Sequence, residues 1–129
     1  MTSDEISGTT ENCKITDLLE ETFSQKLMEL IDQSGRSYAE IYGRANVDRR
    51  HFFKIKNNVR YRPTKRTVFA FIIALELPIK EAEELLLCAG FAFTRSSKQD
   101  IIVRFFIENG NYNLFAINEV LFANGEQTI

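Results

Sequence analysis

Apolar positions recur along this chain at helical spacing, with no strand-like alternation of comparable strength. In TFSQKLMELIDQSG, Phe23, Leu27, Leu30 and Ile31 share one stripe. Thr22 with Gln25 three residues later forms a capping-box pattern, and Gly35 suits a left-handed helix end. Leu18 and Leu19 are candidates to extend this helix backward. A second helix, SYAEIYGRA, opens at Ser37 and stops at Asn46, which tolerates the left-handed conformation of a sharp turn. Asp48 caps a third, RRHFFKIKN, through the amide near His51, and Asn57 and Asn58 end it. Thr64 caps KRTVFAFIIALEL, apolar on every side from Val68 to Leu75 and therefore the buried central helix. Pro78 starts IKEAEELLLCAG, with acids on one side and leucines on the other. Ser96 or Ser97 caps KQDIIVRFFIENG, and Asn113 caps LFAINEVLFANG, each closed by a glycine. The pattern predicts an all-α fold of six or seven short helices. Residues 15–129 form a single helical domain, with a core at 22–91 and a C-terminal helical pair at 96–125. Residues 1–14, small, polar and aperiodic, read as a disordered acidic tail.

Two of these helices, within residues 37–57, are joined by a turn of three or four residues. Such a joint is a helix-turn-helix, which can present its second helix to the major groove of duplex DNA. Val47, Phe52 and Ile55 suit the inward positions. Arg49, Phe53 and Lys56 then form one outward row, and Arg50, Lys54 and Asn57 the next. Tyr42 reads as packed and His51 as structural, beside the buried face. Phe53 is the odd outward member, able to meet a thymine methyl or to pack against a partner.

Net charge is −2, which alone points to no nucleic acid. Its distribution says more. Residues 1–22 carry six acids against Lys14, and residues 80–129 carry seven acids against four bases. Residues 44–66 carry nine bases against Asp48 alone, a local charge of +8. A basic helix is usually just a solvated face, but near-exclusion of acids from 23 residues of an otherwise acidic chain marks a directed footprint. Arg49, Arg50, Lys54, Lys56 and Asn57 could touch bases or phosphates through polar groups, and the two arginines suit bidentate contact with guanine O6 and N7. Arg44, Lys56, Arg60, Arg62, Lys65 and Arg66 are the candidate phosphate contacts, the last two at a helix N-terminus with free amides.

Composition narrows the alternatives. An apolar content of 44%, Phe at 11 positions and no Trp fit one aromatic-filled core. No run approaches the roughly 18 apolar residues of a membrane span, so no membrane partner is expected. The acidic, polar first residues do not resemble a secretory signal, and a cytoplasmic location is the expectation. Cys13 and Cys88 are too far apart for a metal spacing or a disulfide framework, and Cys88 reads as a reduced core thiol. One histidine, no carboxylate pair in an apolar setting and no glycine-rich phosphate loop leave little catalytic chemistry. The reading is non-enzymatic, with no cofactor and no metal.

The order of helix, short turn, basic helix, Pro-containing loop, apolar helix and "AG" helix resembles the Cro/C1-type (XRE, lambda-repressor-like) family. The resemblance covers residues 23–91 and implies a five-helix core that binds DNA. By it, Arg49, Arg50, Phe53 and Lys54 fall where the family reads bases. Asn46 stands where glycine is commonest, Tyr42 where a small residue is usual, and Lys56 where an acid usually ends the recognition helix. FSQKL, RRHFFKI, YRPTKRT and SSKQDIIV are also similar to a bacterial helical domain found alone or appended to larger proteins, including macrodomain proteins. That second likeness adds weight to a role as a protein-interaction adaptor, or as an antitoxin or defence-associated module.

The C-terminal pair is unusually apolar, with Ile101–Val103, Phe105–Ile107 and most of residues 114–122. It either covers the core or forms a homodimer surface that would match two DNA half-sites. Runs such as Phe105–Ile107 exceed one helix stripe, so some apolar area is expected to remain open to a partner.

Overall fold

The computed structural model describes residues 21–129; the expected tail at 1–14 and the backward extension through Leu18 and Leu19 lie outside them. Among the described residues seven helices follow in order: α1 Phe23–Ser34, α2 Tyr38–Arg44, α3 Arg49–Asn57, α4 Lys65–Leu75, α5 Ile79–Cys88, α6 Lys98–Glu108 and α7 Leu114–Ala123. There is no strand among the described residues.

The starts of these helices are set by local side chains. Thr22 accepts from the Gln25 amide while the Gln25 side chain accepts from the Thr22 amide, closing the capping box. Ser37, Asp48, Thr64 and Asn113 each accept from the amide three residues on. Of the two serines before α6, Ser97 is the cap. Asn46 turns left-handed with φ 58°, as its place in the turn requires. Helix α4 is shorter than its apolar pattern. It ends at Leu75, and Glu76, not a glycine, takes the left-handed cap with φ 53°. The cause is Pro78, which disfavours helical backbone at Leu77, so the chain must turn one residue earlier.

Helix α4 is the centre of the fold, with every residue from Val68 to Leu75 buried. Helices α1, α2 and α5 pack directly on it, and α3 packs on α1 and α2. The α1–α3 contact contains a buried hydrogen bond, from the Ser24 hydroxyl to the Ile55 carbonyl at 2.7 Å. This satisfies a carbonyl in the last turn of α3 that no helical amide serves fully. Cys88 at the end of α5 is half-buried and packs against the core rather than within it.

Helices α6 and α7 contribute to the same core. Val103, Phe106, Ile107, Ile117 and Leu121 belong to the same buried cluster as α4. Polar contacts tie this pair down at two places. The Tyr112 hydroxyl donates to the Leu77 carbonyl at 2.6 Å. Asp100, 1% exposed, accepts through Oδ2 from Lys65 Nζ and from the amide and hydroxyl of Thr94 at 2.7 and 3.0 Å. Lys65 Nζ also donates to the Ala92 carbonyl at 2.8 Å.

Three outcomes follow from this packing. Lys65→Ala strands a buried carboxylate with only Thr94 as donor, so urea unfolding is expected to show a loss of about 2–3 kcal/mol. Asn46→Ala, forced into a left-handed conformation, is expected to cost about 1 kcal/mol in the same assay, while Asn46→Gly is tolerated. Burial raises the Tyr112 pKa above its ordinary 10.0, helped by the charges of Glu76 and Glu81. The stability tied to that phenol is therefore fully present below pH 10 and is lost as pH rises through its elevated folded value. Tyr112→Phe should flatten this part of the alkaline stability profile relative to the parent protein.

Candidate nucleic-acid interface

Helix α3 is amphipathic with a sharp division. Phe52 and Ile55 are fully buried, while Arg49, Arg50, Lys54 and Asn57 are exposed. Phe52 is held by rings on three sides: Tyr38 at 5.4 Å, Tyr42 at 5.2 Å and Phe71 of α4 at 6.3 Å. Tyr42 is thus packed, filling space beside Phe52 that a small residue would leave. Val47 is half-buried and packs against the core from the turn. The Asp48 carboxylate holds the first turn through the His51 amide at 2.7 Å. His51 Nε2 in turn is hydrogen-bonded to the Tyr61 hydroxyl, which fastens the loop after α3 to its start. His51 therefore links the start of α3 to the loop that follows it.

The structure sorts the ten candidate contact residues into three groups. Arg49, Arg50, Lys54, Arg60, Arg62 and Arg66 are exposed. None of these six has a carboxylate within ion-pair distance among the described residues. Lys56 is half-buried, its ammonium 5.6 Å from the Tyr38 ring centroid. Phe53 is half-buried, with the Arg49 guanidinium 5.8 Å from its own centroid.

Arg44 and Lys65 differ. Arg44 lies 3.2 Å from Glu76 and 3.7 Å from Glu40, and Arg36 pairs with the same two carboxylates at 3.4 Å each. This four-residue network matches the charge at the edge of α2. Lys65, expected as half of a phosphate clamp, is taken up by Asp100 and the Ala92 carbonyl. The open cationic surface is therefore narrower than the charge run in the sequence, comprising the outer face of α3, the 58–63 loop and Arg66.

Sequence reasoning missed Ser24 and Asp100. Ser24 sits on the apolar stripe of α1, and a buried hydroxyl there signals a carbonyl partner; its identity depends on packing. Asp100 in the first turn of α6 reads as a favourable helix-start charge, which conceals its long-range partner.

No helix among the described residues is long and apolar enough to cross a membrane. No group of His, Cys, Asp and Glu among them is arranged to hold a metal ion. Compared with models of known protein families, with curated proteins and with solved structures, the chain matches none.

Surface charges that already face carboxylates should contribute little to binding an anion. Glu76→Gln, which removes one partner from both Arg36 and Arg44, is expected to strengthen retention on a phosphate-bearing resin. The salt concentration needed for elution reads the change.

Proposed function

We propose that the protein is a non-enzymatic, sequence-selective DNA-binding regulator of the Cro/C1-like helix-turn-helix kind, with α3 as its recognition helix. One observation carries the reading: six exposed cations on α3, its following loop and the start of α4 have no carboxylate within ion-pair distance among the described residues, in an otherwise acid-rich chain. Two features support it. The four-residue turn between Arg44 and Arg49 joins α2 to α3, and α3 keeps a polar, basic face outward while Phe52 and Ile55 anchor it. Arg49 and Arg50, in the first turn, suit paired contacts with guanine O6 and N7. Arg60, Arg62 and Arg66 suit phosphates, fixing register without reading sequence.

Binding to duplex DNA is expected to weaken steeply with salt, in proportion to the phosphates neutralised. Arg62→Ala should weaken all duplexes alike and reduce the log–log salt slope by about 1. Arg49→Ala should instead cost about 1–3 kcal/mol on the preferred sequence and relax the choice of base. Fluorescence anisotropy across a salt series measures all three, and failure to bind any duplex at low salt refutes the reading.

A second reading, a protein-interaction adaptor or antitoxin-like module, is favoured by the outer surface of the C-terminal pair. Ile101 and Phe105 on α6 are exposed, and so are Phe115 and Phe122 on α7, at 75% and 79%. Such a surface suits a protein partner or a homodimer. Light scattering of the purified chain distinguishes these two: a monomer excludes the homodimer.

A further inference from the structure

Phe53 is the one apolar side chain in the two outward rows of α3, and its ring is fixed rather than loose. Phe52 meets it edge-on, with centroids 5.5 Å apart and an interplanar angle of 86°. The Arg49 guanidinium covers it from one turn earlier. Beside the ring opens a hollow of about 500 Å³, lined by Arg50, Phe53, Lys54, Asn57, Asn58 and Tyr61. Two aromatic rings supply its apolar part, while cationic and amide groups supply the rest.

The edges of base pairs in a major groove present nitrogen and oxygen donors and acceptors, and one apolar group, the C5-methyl of thymine. A 5-methylcytosine carries the same group at the same carbon. An apolar hollow on a cationic, groove-facing helix therefore has one complement in duplex DNA, a methyl at C5 of a pyrimidine. Arg49 and Arg50 beside it carry the forked donors that match guanine O6 and N7.

We infer that Phe53, which lines the hollow together with Tyr61, is a specificity-determining residue that selects a 5-methylpyrimidine next to a guanine. The inference rests on the DNA reading and names the base chemistry that reading leaves open.

The test uses the full chain and random-sequence duplexes. Retained duplexes are remade with deoxyuridine in place of thymine, and with cytosine or 5-methylcytosine at the same positions. Removing one buried methyl is expected to lower affinity about threefold to fivefold at the position Phe53 faces. Tighter binding with 5-methylcytosine than with cytosine supports the methyl contact from either source. A thymine–uridine difference without that gain assigns the contact to thymine alone. Phe53→Ala should abolish the thymine–uridine ratio and Phe53→Leu should keep it; the ratio is internal to each variant, so a general loss of affinity does not obscure it. Equal affinity of the parent protein for the thymine and uridine forms overturns the inference, leaving the hollow to an apolar side chain of a protein partner. Absence of binding to any duplex at low salt overturns the DNA reading itself, and this inference with it.

Discussion

The burial of Phe52 is the contact on which the proposed interface depends. Its ring sits where α2, α3 and α4 converge, among Tyr38, Tyr42 and Phe71, and Phe71 reaches Phe23 of α1 at 6.3 Å. A nine-residue helix makes too few hydrogen bonds to hold its shape or direction alone. Its orientation comes from the side chain it inserts. With Phe52 and Ile55 both fully buried, the rotation of α3 about its own axis is settled, and so is which side chains meet solvent. Ser24 adds a second constraint at the far end of α3, through a carbonyl that cannot shift without stranding a buried hydroxyl. Side chains that must meet base edges need this kind of support, since small misplacement costs contacts.

Electrostatics draws the boundary of the surface that Phe52 positions. Glu40, Glu76 and Asp100 each take cations from the edge of the basic run. The middle of the run has no such partner among the described residues. Exposed ion pairs of the Arg44 kind add little stability. Their effect here is to confine the positive field to α3, the following loop and Arg66.

Much of this was legible in the sequence, and the reasons are local. Thr22, Ser37, Asp48, Thr64 and Asn113 act on amides three residues away, so spacing alone identifies them. The inward positions of α3 follow from helical periodicity in the same way. What periodicity could not supply was the identity of partners distant along the chain. Lys65 and Asp100 lie 35 residues apart, and Arg44 and Glu76 lie 32 apart. Each of these bases is indistinguishable by composition from Arg62 or Arg66. The C-terminal helices show the same limit, because they are apolar on more than one side. Only packing decides that Phe106 goes in while Phe105 stays out.

Glu76 joins two of these effects in one residue. Its backbone holds a left-handed conformation that glycine would adopt more readily, and its carboxylate faces two guanidinium groups. Glycine at this place would relax the chain and at once leave both arginines with Glu40 alone, enlarging the positive field at the end of α2. Ease of folding and confinement of the positive field therefore pull in opposite directions at the end of the central helix. The residue present favours confinement, at the cost of a strained turn.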